Sequence, residues 1–370
     1  MRKIFLAVLA VMIMMCGAAG ADIIYTTESG NMGLIEITED GVSAPAVKYS
    51  GAGSNAFVGT YWDGEDTRVI LIERSPESYD RALVFSQSNM TTPVGDYVEL
   101  DGVKDTRAVA NSLYGTSIYF ASYGSSSLCE FDTENFTPRN SYIHEQENSR
   151  DIYPHHVVGV RTDYRYVYAL IDVSPYRSLY LRFDGTLERD KEAFYSDEID
   201  SSTSSMAQTG SGLMFACSDG VKYFGRDGLA YAVSSDSPVK SICADDGSGF
   251  YFMTQYQSGD VSFDVIAHYS SGTSTISEHE SGSVSMLVKD TNYSVLAAVT
   301  GGKILLYDME DDTLIAEYDS TELGGVPVHV SASRNDGAKD ERSSGSCSLS
   351  GMGAAMLLVF AVNAKKRLRL

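Results

Sequence analysis

At 370 residues the chain has room for one large β-domain or two smaller ones, and its 24 Tyr and 33 Gly suit many short strands joined by tight turns. Asp and Glu number 50 against 28 Lys and Arg, a formal charge of −22. The six cations Arg2, Lys3, Lys365, Lys366, Arg367 and Arg369 sit in terminal segments that lack carboxylates, so the middle stands at 22 against 50, or −28. Such a surface repels nucleic acid and anionic headgroups, which argues against nucleic-acid binding.

The chain opens as an address. Met1–Ala21 has a basic start, the apolar run IFLAVLAVMIMM and the small-residue end Ala19-Gly20-Ala21. That pattern is a secretory signal peptide, a leader helix with cleavage expected after Ala21. Cys16 follows Ile13-Met14-Met15, a poor lipoprotein signal, so ordinary cleavage is expected.

From residue 22 a single unit recurs seven times. Its plainest copies are Ser117–Asp132 (SIYFASYG, SSS, LCEFD) and Tyr166–Asp184 (YVYALIDV, SPYRS, LYLRFD), each a strand, a tight turn and a strand ending in an aromatic and Asp. Further copies begin at Ile23, Val69, Leu213, Phe250 and Val295. With Leu34, Leu83, Leu128, Leu179, Val221, Val265 and Ile304 as equivalents, the mean spacing is 45 residues. A period of roughly 40–50 with several strands per unit marks a β-propeller rather than a helical solenoid. An isolated hairpin cannot bury both faces, so each unit needs a strand before and after it, making four-stranded antiparallel blades. Small residues such as Ala108, Ala110, Gly159 and Ala207 fit first strands crowded around a central axis.

The body, residues 22–333, is expected to close on itself. Ile23–Thr27 reads as a second strand with no room for a first, while Val326–Ala332 is a strand with no hairpin after it. The terminal strand should therefore become the innermost strand of the first blade. Six complete blades and one shared blade then give seven, in a three-plus-one closure, with six blades as the alternative. The complete blades span about Asn55–Leu100, Thr106–Ile143, His156–Phe194, Ser205–Val233, Val239–His279 and Val284–Tyr318. The endings Phe131-Asp132, Phe183-Asp184-Gly185 and Tyr307-Asp308 resemble those of the YVTN, NHL and quinoprotein-like propellers. The single Trp, Trp62, departs from the recurrent tryptophans of the quinoprotein branch.

Propeller chemistry belongs on the face built from loops entering the innermost strands and turns between second and third strands. There the long insert Glu145–His155 supplies Asp151, Tyr153 and His155, with His156 following; Tyr79, Tyr123 and Tyr176 occupy related turns, and Arg107 enters the third blade. The tyrosines would suit a stacking platform for sugars. Adjacent residues on a strand point to opposite faces, so at most one of His155 and His156 can look into the channel. No further ligand stands at a metal-site spacing, and G-x-S-x-G, HExxH and P-loop motifs are absent. No cofactor is expected. Converging carboxylates could hold Ca²⁺, but no EF-hand spacing is present, and pairs such as Asp63-Gly64 and Asp219-Gly220 read as turns. Cys129, Cys217 and Cys243 are an odd set in the body; buried free thiols are expected, with a Cys217–Cys243 pair left open.

After a polar linker, residues 334–346, the tail 347–370 combines Cys347, a 16-residue apolar run Leu349–Ala364 and a basic end. Gly345-Ser346-Cys347-Ser348, the run Met352–Ala361 and the cluster Lys365–Arg369 resemble the Cys-containing C-terminal sorting signals of the Synerg-CTERM type in Synergistetes. The resemblance implies a membrane-held hydrophobic helix, processing near Cys347 by a sorting protease, and display of the body at the cell surface. A plain C-terminal anchor is the alternative, the run being short for a span of ~20 residues. The expected function is a binding or interaction module for a cell-surface glycan or protein. An extracytoplasmic lyase or hydrolase at the channel mouth and a structural envelope protein are the alternatives.

Overall fold

The computed structural model describes residues 21–332 apart from short internal stretches, the longest being 144–154; between 151 and 231 many strands are described by their backbone alone. All described residues fall in one compact unit, Met1–Gly337. In chain order the strands are β1 (Ala21–Thr27), β2 (Asn31–Thr38), β3 (Gly41–Val42) and β4 (Ala46–Ser50), followed by β5 (Phe57–Trp62), β6 (Thr67–Glu73), β7 (Arg81–Ser86) and β8 (Val98–Glu99). Next come β9 (Thr106–Asn111), β10 (Ser117–Ser122), β11 (Ser127–Asp132), β12 (Pro138–Ile143), β13 (His155–Thr162), β14 (Tyr166–Val173), β15 (Arg177–Asp184) and β16 (Glu192–Ser196). The rest are β17 (Ser205–Thr209), β18 (Gly212–Cys217), β19 (Gly220–Gly225), β20 (Gly228–Ser234), β21 (Val239–Ala244), β22 (Phe250–Ser258), β23 (Val261–Tyr269), β24 (Thr273–Glu280), β25 (Met286–Asp290), β26 (Val295–Thr300), β27 (Lys303–Asp308), β28 (Leu314–Tyr318) and β29 (Pro327–Ala332).

These strands make six four-stranded antiparallel blades in sequence order and one composite sheet, β29-β1-β2-β3, with β4 also paired to β2. No helix occurs among the described residues, and the class is all-β. The first strands of neighbouring sheets touch, as in β9 with β13, β17 with β21 and β5 with β29. The molecule is a β-propeller, and the composite sheet closes it. Ile24 pairs with Ser331, Tyr25 with Val330 and Thr26 with His329, which joins the two ends of the body.

The core lies in the seams between sheets. One cluster joins Phe57, Ile70 and Ile72 of the first complete blade to Ile118, Phe120 and Phe131 of the next. Another joins Ile23, Tyr25 and Ile35 of the closing sheet to Val295, Ala297 and Leu306. Both faces of a middle strand are therefore buried. β10 and β26 accordingly lack the alternating polar positions of a half-solvated strand. Each such aliphatic or aromatic side chain stabilises the fold by about 1.5–3 kcal/mol on burial. In the closing sheet Tyr25 stands opposite Gly33 and its ring lies across that glycine: a Cβ there would fall 2.2 Å from Tyr25 Cζ.

Four innermost strands carry a β-bulge at the same end. Opposite β10, the partner positions run from Ala108 to Thr106 and skip Arg107; the same slip omits Val158, Lys240 and Val328 in β13, β21 and β29. A bulge re-aims the extra residue out of the ladder. It does so where these strands enter from the loop face.

Candidate ligand-binding face

Where the first two complete blades meet, a buried carboxylate organises the loop face. Asp80, in the turn between β6 and β7, is fully buried. It accepts hydrogen bonds from the Ser75 amide (2.9 Å), the Asp105 amide (3.0 Å), and the Thr106 amide and hydroxyl (2.8 and 2.7 Å). Four donors satisfy a carboxylate that would otherwise be costly to bury. Asp105 itself adopts a left-handed backbone, φ 52°, which Asp tolerates better than most residues. The loop before β9 is thus tied to the preceding blade.

That loop also holds the next turn. The Tyr123 amide donates to the Asp105 carbonyl (3.2 Å) and the Gly124 amide to the Lys104 carbonyl (2.9 Å), while Ser122 Oγ bridges the Lys104 backbone. Two cation–aromatic pairs stand on this frame. The Arg107 guanidinium lies 4.7 Å from the Tyr123 ring centre and bonds Asp105 at 2.7 Å; Lys104 Nζ lies 5.4 Å from the Tyr79 ring centre. Each ring holds a long cationic side chain across its face instead of standing bare. Arg74, at the end of β6, sits 4.0 Å from Asp105 and donates through Nε to the Asn55 carbonyl at 2.7 Å. Burial lowers its pKa, with Asp105 opposing the shift.

Beneath Tyr79 and Lys104 lies a pocket of about 290 Å³, lined further by Gly102, Gly124, Ser125 and Ser127. A second of about 210 Å³ shares Gly102, Cys129 and Ser141 with it and extends to Arg139 and Asn140. The two form a groove down the outer seam of these blades. Cys129 is a free, buried thiol whose pKa burial raises, so it is a poor nucleophile; Cys217 and Cys243 are not joined by a disulfide.

Toward the axis, His329 of the closing strand packs on Phe57 of the neighbouring innermost strand, ring centres 3.8 Å apart. Burial pushes its pKa down to about 3, the Arg74 charge adds to that, and a hydrogen bond to the Val58 backbone works the other way. The ring is therefore neutral at ordinary pH.

Of the residues singled out in the sequence, Tyr79, Arg107 and Tyr123 come together here. His155 and His156 stand at the head of β13 on the same face, their backbones opposite Val173 and Asp172. Their side chains, like Asp151, Tyr153, Tyr176 and Cys347, lie outside the described residues. Ala21 begins β1, opposite Ile37. Sequence reasoning missed Arg74, Asp80, Lys104, Asp105 and His329. Asp80 directly follows Tyr79, and Lys104-Asp105 directly precede the recognised strand, so their place on the loop face was readable while their contacts were not.

The opposite face carries a second polar cluster. His268 stands between Asp312 Oδ2 (3.0 Å from Nδ1) and Asp245 Oδ2 (3.3 Å from Nε2), with Tyr251 stacked on its ring at 4.2 Å. The carboxylates flank the imidazole instead of converging beside it. This is a clasp between the last two complete blades, and among the described residues no group of three His, Cys, Asp or Glu is placed to hold a metal.

No protein-family model matches the chain, and neither does any curated protein. Solved structures do match. A putative 6-phosphogluconolactonase from Bacteroides fragilis aligns at 12% identity and TM-score 0.62 over 86% of this chain and 99% of its own. One from Bacteroides uniformis aligns at 14% and 0.62 over 85% and 99%. The periplasmic gluconolactonase PpgL of Pseudomonas aeruginosa aligns at 11% and 0.61 over 85% and 99%. Identities this low establish a shared propeller fold and nothing about chemistry.

Proposed function

We propose that the protein is an exported, cell-surface β-propeller that binds an acidic glycan through the loop face of its first two complete blades. The observation that carries this reading is the pair of cation–aromatic rungs, Lys104 on Tyr79 and Arg107 on Tyr123, set above a hydroxyl-lined groove in a protein of charge −22. A chain this acidic repels anions nearly everywhere, so cations held extended at one mouth define where an anionic ligand would settle. The ring edges and the Ser125 and Ser127 hydroxyls suit sugar contacts. The leader and the Synerg-CTERM-like tail support export and surface display, and the periplasmic location named for PpgL agrees with export.

Titration of the full chain with acidic and neutral oligosaccharides, followed by calorimetry, tests this. Binding that requires the acid groups and weakens in Arg107→Ala and Lys104→Ala supports it; acidic glycans that fail to bind, or bind both variants equally, remove it. A second reading, sugar-lactone hydrolysis at the channel mouth, draws on the names of the lactonase-like neighbours. Turnover of gluconolactone above the uncatalysed rate, lost in Arg74→Ala, would shift the weight to that reading.

A further inference from the structure

One loop walls both pockets of the outer groove, and it carries opposite charges into them. Lys104 lines the upper pocket and Asp101 the lower, while Gly102 between them lines both. The loop is fixed from beneath. Leu100 and Val103 are fully buried, the Leu100 amide donates to the Asp80 carbonyl and the Asp80 amide to the Val103 carbonyl, each at 2.9 Å, and the Gly102 carbonyl accepts from Ser125 Oγ at 2.6 Å. Three residues of chain span at most ~11 Å, so the two charges bear on neighbouring units of one ligand. Lys104 lies over the Tyr79 ring, and among the described residues Asp101 enters no ion pair or side-chain hydrogen bond. Arg139 also lines the lower pocket, but its guanidinium is taken by Asp132 and by Ser117 Oγ at 3.0 Å, which leaves the Asp101 charge uncancelled.

We infer that the lower pocket is a subsite for a neutral sugar, with Asp101 setting that preference, so that the ligand of the groove alternates an acid-bearing unit, held at Lys104, with an uncharged one; the inference rests on the acidic-glycan reading of the same groove. A carboxylate in a sugar site has two consequences. It accepts hydrogen bonds from ring hydroxyls, which a neutral unit offers. It also repels a second acid group, and a like charge set against a ligand is one way a site rejects the wrong member of a class. The rest of the lower pocket agrees with a sugar ring: Pro138, opposite Phe131 in the ladder, gives it an apolar wall, and Ser141 adds a hydroxyl. An all-acid chain can still use the upper pocket, but its next carboxylate then stands against Asp101. Attraction to Lys104 and Arg107 alone would rank the ligands the other way, with the most highly charged chain binding best.

The probes are a hyaluronan tetrasaccharide, in which glucuronic acid alternates with N-acetylglucosamine, and tetragalacturonate, in which every unit is acidic. Both are titrated by calorimetry into the full chain, Asp101→Asn and Asp40→Asn. Asp40 is exposed in the turn between β2 and β3, away from the groove lining, and controls for the loss of one charge. Circular-dichroism melts confirm that each variant is folded. Wild type is expected to bind the alternating sugar the more tightly. Asp101→Asn should bind tetragalacturonate roughly fivefold more tightly than wild type does and gain nothing with the alternating sugar, and its gain should shrink in about 0.5 M salt; Asp40→Asn should behave as wild type. The change in the ratio of the two affinities cancels differences of linkage and ring stereochemistry between the sugars. The inference is overturned if wild type binds tetragalacturonate the more tightly, if Asp101→Asn leaves the ratio unchanged, or if Asp40→Asn shifts it as much. Binding that depends on Lys104 and Arg107 yet is blind to Asp101→Asn overturns the subsite and leaves the acidic-glycan reading standing, whereas no binding of either sugar overturns both.

Discussion

His329 makes the acid stability of this protein depend on one closing strand. In the unfolded chain its imidazole takes a proton near the ordinary 6.5, whereas in the folded protein it does so only near pH 3. Between these values the unfolded state binds one more proton than the native state, so stability falls as pH drops from about 6.5 toward 3. At 1.36 kcal/mol per pH unit the full contribution approaches ~5 kcal/mol, and between pH 7 and pH 5 it is roughly 2 kcal/mol. The replacement His329→Phe keeps the aromatic contact with Phe57 and removes the titration. Urea unfolding of the full chain and of the variant, followed by circular dichroism at pH 7, 6 and 5, isolates the effect, since every other titrating group is common to both. The variant should gain about 2 kcal/mol on wild type as pH falls from 7 to 5, whatever its absolute stability. Parallel decline of the two proteins would show that the imidazole is not held neutral, and the description of the inner loop face would fail with it.

Other consequences are local. Gly33→Ala drives a Cβ into the Tyr25 ring and should cost about 1–3 kcal/mol in thermal melts; an unchanged melt would mean the ring does not lie over Gly33. Asp80→Ala strands four donors, and should destabilise by about 3 kcal/mol or more and speed exchange of the Asp105 and Thr106 amides; normal protection at those amides would refute the tie between blades. Removing residues 327–332 strips the innermost strand from the closing sheet and should abolish cooperative unfolding, whereas a shortened chain that melts like the full one would contradict closure through β29.

The architecture was readable because the repeat is carried by the two middle strands of each blade, which are buried on both faces and so keep their apolar runs. The closing strand was readable for a topological reason: Ile23–Thr27 lacked a first strand and Val326–Ala332 lacked a hairpin. The site was only partly legible. Arg107 could be placed at the head of a strand, but its projection depends on a register slip against β10, which needs both strands to be seen. The tyrosines suggested bare stacking platforms; the cations over Tyr79 and Tyr123 come from Lys104 in the loop before β9 and from Arg107 at the head of β9, a segment that Asp80 ties down. His329 carried no signal at all. Its apolar neighbours mark a strand, and only ring closure sets it against Phe57 and Arg74.

The most direct test of the account is calorimetric titration of the full chain with an oligogalacturonide and with the matching neutral oligogalactoside, repeated on Arg107→Ala. The account expects the acidic sugar to bind, the neutral one to bind at least roughly tenfold more weakly, and the variant to lose the difference. Equal affinity for both sugars, or an acidic sugar that binds Arg107→Ala as well as wild type, would contradict a binding face built on the cation–aromatic rungs.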